Sequence, residues 1–381
     1  MLLLNLRLVG FLALLAVPLA AAAQTPSPSP TPPKPPAKSE YEEPVKIFTE
    51  EVRLPVVAVD RFGHYDPTLE ADDVLVLEDG VAQQIRSVQR LPVNVLLLLD
   101  VGNDLGLKNT NVTRDIALRL VSLIEKGNRI AVMQFAGRPE LLQTWTDDKE
   151  KLAKVLKTKL QSGKTSRLAD AFAAAADQFR DTPAGTRHIV LISDGVESPG
   201  GRTTLSSSLK QLNTVQASVH IISYTVLARA QLSNRNKVAS KGDGVQRDGN
   251  PGSNPVANGD PTLPPGTTRT PSFRIGSIDL DVAMRRKRKE YERATRESEA
   301  QLKDIAEESG GQILLPQTNE ELASEAATVA RDIGSQYVVT YRPKRPLAQA
   351  RSGEYRKVEV ASRRVGVYLR SRRGYVVSIT P

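Results

Sequence analysis

The sequence predicts an α/β fold. Its centre is a doubly wound, mostly parallel sheet of Rossmann-like type, and a flanking β domain is built from the N- and C-terminal strands. Three observations carry this. From Asn94 onward, apolar runs of strand length alternate with amphipathic helical segments. The runs, such as VNVLLLLD at 93–100, are apolar at nearly every position, as strands are when helices cover both faces of a sheet. Residues 45–91 and 336–381 show instead short segments with period-two alternation, separated by turn residues.

Taken in order, residues 1–23 read as a cleaved signal peptide, with one early charge at Arg7, an apolar stretch, and small residues at Ala21 and Ala23. The stretch is shorter than the roughly 20 residues of a spanning helix and includes Pro18. The mature chain is therefore expected to start near Gln24, with no transmembrane span after cleavage. Residues 24–44, which include TPSPSPTPPKPPAK, are too rich in proline to build a core and read as a disordered, extended linker.

In the N-terminal β segment (45–91), Asp79-Gly80 between apolar runs is a hairpin signal. The acidic group Asp72, Asp73, Glu78 and Asp79 is assigned to turn chemistry rather than to calcium. In the central domain (92–335), NVTRDIALRLVSLIEKG places Val112, Ile116, Leu120 and Ile124 on one helical face and closes at Gly127. RIAVMQF, RHIVLISDG, SVHIISYTV and GQILLP are further strands. DDKEKLAKVLKTKL, SRLADAFAAAADQFR, LSSSLKQLNTVQ and NEELASEAATVARDIGS are helices. Residues 228–275 form an insertion whose Gly, Pro, Asn and Ser content favours a disordered loop. The long charged helix after it carries Met284, Tyr291 and Ile305 at sevenfold spacing, so one narrow stripe packs, and its RRKRK cluster sits on a solvated face. In the C-terminal β segment (336–381), QYVVTYRP, EYRKVEVAS and VGVYLRSRRGYVV are expected to pair with the strands of 45–91 in one β layer.

Composition removes several function classes. The 381 residues include no cysteine, which excludes disulfides, thiolate metal sites, cysteine nucleophiles and a lipid anchor on cysteine. The three histidines, His64, His188 and His220, are too few and too scattered for a histidine-rich zinc site. No Gly-x-Ser-x-Gly is present, and no enzyme activity is expected. The net charge of +9 favours anionic surfaces in general, but aromatics are only 4% and no nucleic-acid motif occurs, so no specific nucleic acid is expected.

In an open α/β sheet, ligands bind beyond the C-terminal ends of the strands. Three segments should meet there: DVGND at 100–104, SGKTSRLADAF at 162–172, and SDG at 193–195. Two strand-end carboxylates, Asp100 and Asp194, and a hydroxyl are hard oxygen donors, suited to magnesium or calcium.

These segments resemble the von Willebrand factor A domain family, whose metal-ion-dependent adhesion site has the motif Asp-x-Ser-x-Ser, then a distant Thr, then a distant Asp. LEDGVAQQI at 77–85, YVVTY at 337–341 and LRSRRGY at 369–375 further resemble the secreted, acidobacterial-type VWFA-related proteins. The resemblance spans roughly residues 45–379 outside the insertion. It implies a Mg2+ or Ca2+ site with Asp100 at the first Asp and Asp194 at the last. Gly102 and Asp104 stand at the two Ser positions. The family's helix start GGTALxDA aligns with KTSRLADA, which puts Ser166 at the Thr position. Gly102 supplies no side-chain oxygen, so Asp104 has to compensate. Gly102→Ser is expected to strengthen metal binding if the backbone accepts a side chain. The resemblance further implies a secreted or periplasmic, non-enzymatic, adhesion-type module that binds a protein partner presenting a carboxylate. Two alternatives stand beside it. One is a structural envelope protein held to anionic surfaces by basic segments such as RRVGVYLRSRRGY. The other is a hydrolase.

Overall fold

The computed structural model describes residues 51–102, 110–180, 182, 184–230 and 276–377. The expected signal peptide, the linker, most of the 228–275 insertion and Asp104 lie outside the described residues. Among the described residues, no helix is long and apolar enough to cross a membrane.

The chain begins with β1 (Val52–Asp60), β2 (Val74–Glu78), β3 (Val81–Ala82) and β4 (Gln84–Gln89). The central part follows as β5 (Val93–Asp100), α1 (Thr110–Leu123), β6 (Arg129–Phe135), β7 (Pro139–Thr146), α2 (Lys149–Lys159), α3 (Leu168–Gln178), β8 (Thr186–Ile192), α4 (Leu205–Val215) and β9 (Ser218–Ile222). After the insertion come α5 (Gly276–Ser309), β10 (Ile313–Leu314) and α6 (Asn319–Gly334). The end is β11 (Tyr337–Arg342), β12 (Tyr355–Ser362), β13 (Val367–Ser371) and β14 (Gly374–Val376).

The central sheet has the order β10-β9-β8-β5-β6-β7 and is parallel except for β7. Every residue of β5 is buried. Val93, Val95, Leu97 and Leu99 join the core under α1, α2 and α6, while Leu96 and Leu98 join the core under α3, α4 and α5. This strand has helices on both faces, which is why its sequence is apolar rather than alternating. β7 is not evident in the sequence. Its Glu140, Gln143 and Thr144 interrupt the apolar pattern, because an antiparallel edge strand keeps one face in water. In α5 the buried positions are Thr295, Ser298, Leu302, Ile305, Ala306 and Ser309, at spacings of three and four. The expected sevenfold stripe is therefore too narrow, and the side chain of Met284 lies outside the described residues. Arg286, Lys287 and Lys289 of the RRKRK cluster are exposed, as expected.

The terminal strands do pair with one another, but not in one β layer. They form two four-stranded sheets, β13-β1-β11-β4 and β14-β12-β2-β3. These share a core containing Leu54, Val56, Val76, Val339, Tyr341, Val358 and Tyr375. The reason lies in the last segment. It breaks at Arg372 and Arg373, so β13 pairs with β1 while β14 pairs with β12. Asp79 and Gly80 form the expected hairpin turn, both with positive φ, at +48° and +80°.

Inside this sandwich sits a buried ion pair. Arg356 Nη1 donates to Glu78 Oε1 at 2.8 Å, and both side chains are almost fully buried. Tyr341 and Tyr375 donate their hydroxyls to Glu78 Oε2 at 2.8 and 3.0 Å. Arg356 also donates to the carbonyls of Arg345 and Pro346. Burying a charge is costly unless it is paired and hydrogen-bonded, and here each group has several partners. Glu78 is thus a core residue and not part of the turn chemistry expected for its acidic neighbours. Asp79 does serve the turn, accepting from the Lys357 amide at 2.9 Å, and Asp73 accepts from the Glu70 amide at 3.0 Å.

A second buried row joins sandwich and central sheet. Thr186 Oγ1 lies 3.0 Å from His188 Nε2, His188 Nδ1 lies 3.1 Å from His220 Nε2, and His220 Nδ1 lies 3.2 Å from Asp332 Oδ2. Arg370 of β13 donates to both oxygens of Asp332, and the Tyr65 hydroxyl donates to Oδ1 at 3.2 Å. His188 Nδ1 and His220 Nε2 share one proton, the Thr186 hydroxyl partners His188 Nε2, and His220 Nδ1 faces the Asp332 carboxylate without a well-aligned hydrogen bond. Burial first, and then the neighbouring His220, hold the His188 imidazole well below its ordinary value. Burial pushes the Asp332 carboxyl up, but His220 and Arg370 outweigh it and leave it below the usual carboxylate range.

Two outcomes follow. Arg356→Ala leaves Glu78 buried without its cation and should cost about 3 kcal/mol or more, whereas Arg180→Ala, at an exposed pair, should cost less than about 1 kcal/mol; urea unfolding of both variants measures this. The second concerns pH. Below pH 6.5 the unfolded chain protonates His188 while the folded chain does not, so stability falls as pH falls from there. The slope contributed is up to about 1.4 kcal/mol per pH unit. Urea unfolding between pH 7.5 and 5 should show a shallower loss for His188→Gln than for the wild type, and equal slopes would refute the assignment.

Candidate functional site

Strands β5 and β8 are neighbours, but the chain leaves β5 toward β6 on one side and returns to β8 on the other. Such a switch point leaves a crevice at the C-terminal strand ends. The structure brings Asp100, Ser166 and Asp194 to this lip, all buried. Asp104 lies outside the described residues.

Each carboxylate at the lip is held by hydrogen-bond donors. Asp100 Oδ1 accepts from the Gly102 amide at 3.0 Å, and Oδ2 accepts from the Ser193 hydroxyl at 2.7 Å. Asp194 Oδ1 accepts from the Val196 amide at 3.1 Å, and Oδ2 accepts from the hydroxyl of Tyr291 on α5. Ser298, two turns further along α5, donates to the Asp194 carbonyl at 2.7 Å. Tyr224, which follows β9, brings its buried hydroxyl close to Asp100, Asp194 and Tyr291, and burial followed by these negative neighbours pushes its pKa well above the ordinary tyrosine value.

The Ser166 segment is fixed by backbone contacts. Gly163 N donates to the Val101 carbonyl at 2.9 Å, and Gly102 and Gly163 form a parallel bridge. Ser166 N donates to Ser198 Oγ at 2.8 Å, and Ser198 N donates to the Ser166 carbonyl at 2.7 Å. The 163–166 segment therefore rests directly on Gly102. A Cβ there would meet the Thr165 carbonyl oxygen at 2.2 Å and Ser166 Cβ at 2.9 Å. This removes the condition on which Gly102→Ser was expected to strengthen metal binding, because the backbone has no room for any side chain.

A divalent cation fits these residues poorly. Ser166 Oγ is buried without a hydrogen-bond partner, which is the one feature in its favour. Against it, the hydroxyls of Ser193 and Tyr291 each donate to one carboxylate oxygen and so compete with a cation for it. Gly102 adds no oxygen, whereas calcium takes about six to eight oxygen ligands and magnesium about six. Among the described residues, no group of three or more His, Asp or Glu side chains is placed to hold a metal ion.

Tyr224, Tyr291 and Ser193 were missed in the sequence. Tyr291 had been noticed only as part of a packing stripe, and no local motif links a helix residue to a strand end about a hundred positions earlier. Ser193 stands beside Asp194 in the SDG segment, and its pairing with Asp100 follows from the β5–β8 register, which sets Leu99 opposite Ile192. The histidines stand away from this cluster. His64 is exposed and bonded to Asp60, and His188 and His220 belong to the buried row. The basic C-terminal segment is largely engaged inside the fold. Arg364 pairs with Asp66 and Asp73, Arg370 with Asp332, and Arg373 with Glu307 and Glu308, while Arg372 is buried.

A search of curated proteins finds no match to the chain. Among solved structures, a conserved hypothetical protein, BatB, from Bacteroides thetaiotaomicron matches at 19% identity and TM-score 0.29. That match covers 35% of this chain and 66% of BatB, just under two thirds of its length. An aerotolerance-related membrane protein from Bacteroides fragilis matches at 17% identity and TM-score 0.37, covering 63% of this chain and 98% of that one. The vWF domain of a type V pilus tip protein from Porphyromonas gingivalis matches at 20% identity and TM-score 0.27, covering 31% and 43%. The sequence profile of the von Willebrand factor type A domain matches residues 95–197, which run from β5 past Asp194 and so contain most of the lip. This segment of the chain belongs to the von Willebrand factor type A domain family.

Proposed function

We propose that the chain is an exported, non-enzymatic, adhesion-type module that binds a protein partner at the strand lip without a resident metal. The domain match supports a protein-interaction module. The observation that carries the metal-free reading is the hydrogen bond from Tyr291 to Asp194, together with that from Ser193 to Asp100. Two buried carboxylates close together repel one another. A divalent ion is one remedy for that repulsion, and neutral hydroxyl and amide donors are another. Here the chain supplies the donors from its own α5 and from the segments that follow β5 and β8. Export rests on the apolar leader and the small residues before Gln24. The envelope alternative loses support because Arg364, Arg370 and Arg373 are paired within the fold, and the hydrolase reading because the three histidines stand away from the lip.

Magnesium or calcium at millimolar concentration should leave the melting temperature of the wild type unchanged. A bound ion at a hundred times its Kd would add about 2.7 kcal/mol, an effect large enough to see. A rise would restore the metal-dependent reading, with Asp104 as the missing ligand. Tyr291→Phe should lower stability by about 1.5–3 kcal/mol, since a buried carboxylate loses a donor. Capture of envelope proteins on the immobilised chain should be insensitive to chelator and be lost in Lys164→Glu, which reverses an exposed charge beside Ser166. Capture that chelator abolishes would count against the metal-free reading, and capture that Lys164→Glu leaves intact would count against binding at the lip.

A further inference from the structure

At the opposite end of the central sheet, a cleft of about 600 Å3 runs between the outer face of the β13-β1-β11-β4 sheet and the start of β5 and β8. A smaller space of about 190 Å3 adjoins it and shares Arg53, Leu91, Gly185 and Val338. The combined size suits a small organic ligand, and boundaries between packed substructures are common places for such sites. Gly185 shapes the floor. Its φ is +150°, and a Cβ there would meet the Pro92 carbonyl oxygen at 2.3 Å.

Two arginines reach this cleft from different strands. Arg53 of β1 stands opposite Thr340 of β11, and Thr340 stands opposite Ser87 of β4. The β4–β11 register then slips: Tyr341 faces Ile85, which leaves Arg86 as the extra residue of a bulge. Consecutive strand residues ordinarily point to opposite faces, and a bulge re-aims one of them. As a result Arg86 and Ser87 both line the cleft. Most arginines of the C-terminal strands are spent on carboxylates, but neither Arg53 nor Arg86 has a hydrogen-bond or ion-pair partner among the described residues. Both are exposed and so open to a ligand. The walls between them add Leu91, Pro92 and Val338, which are apolar, and the hydroxyls of Ser87 and Thr340.

We infer that this cleft binds a small organic anion, its carboxylate or phosphate group held between Arg53 and Arg86 and its apolar body against Leu91, Pro92 and Val338. A guanidinium presents a planar fork of donors that matches either oxyanion. Glu51 on the same wall repels extended polyanions, which selects a ligand with one compact anionic group over a nucleic acid. The site is independent of the lip, since it lies at the other end of the strands.

Isothermal titration of the full chain with phenyl phosphate, benzoate and uncharged benzyl alcohol tests this. One or both anions should bind saturably and the alcohol should not. Binding of phenyl phosphate alone assigns a phosphate ligand, and of benzoate alone a carboxylate. Arg53→Gln and Arg86→Gln keep the side-chain stem and should each weaken binding at least tenfold. Arg119→Gln, an exposed change of equal charge on α1, should leave it unaltered. Absence of saturable binding by either anion overturns the inference. So does equal binding in all three variants, which would mean that Arg53 and Arg86 only keep the sheet soluble.

Discussion

Every backbone group of β5 has to be satisfied inside the sheet, because no residue of that strand reaches water. This constraint orders the rest of the molecule. It requires a parallel partner on each side, which β6 and β8 supply, and a helical layer over each face. At its C-terminal end the strand meets groups that are not part of a ladder, and there it carries Asp100; at its start the Val93 amide and the Asn94 side chain also bond outside the ladder. The site position is thus a by-product of burial: between Asn94 and Asp100 the strand is apolar throughout, and its polar side chains stand near its two ends.

What happens at that end depends on how the carboxylates are compensated. Asp100 and Asp194 sit with hydroxyl and amide donors at close range, and one of the donors comes from a helix that the chain reaches only after the insertion. These donors stabilise the two carboxylates from within the fold. The same donors explain the glycine at 102. With the 163–166 segment resting on the strand end, close backbone approach takes the place that a serine side chain occupies in the family motif.

Much of this was legible in the sequence, and what was not shares one physical cause. VNVLLLLD, RIAVMQF and RHIVLISDG could be read as buried strands because burial on both faces leaves a local signature, and Asp79-Gly80 because its turn has local chemistry. The placement of Asp100, Ser166 and Asp194 at the strand ends was legible through motif order. The edge strand β7 was missed because its pattern is half polar. The two-sheet sandwich was missed because the choice of partner by β13 and β14 is made at a break of two arginines, with nothing local to say which sheet each half joins. Glu78, Tyr291 and the His188–His220–Asp332 row depend on contacts across large sequence separations, and no periodicity encodes these. The EDG, YVVTY and RRGY segments were recognised only as a series. In the fold, Glu78, Tyr341 and Tyr375 are joined by hydrogen bonds.

The way the chain ends interlock also sets an order of assembly. β1 lies between β11 and β13, and β2 lies between β12 and β3, so the first strands made have to wait for nearly the last. Until then they present unpaired edges, and loops of more than two hundred residues must close before either sheet is complete. The central sheet needs far shorter loops for β5 and β6 to meet. A ribosome or export channel that releases the chain from its N-terminus would therefore deliver a folded middle with a loose leading strand, and closure of the sandwich would be the step most exposed to proteases and to strand exchange between neighbouring molecules.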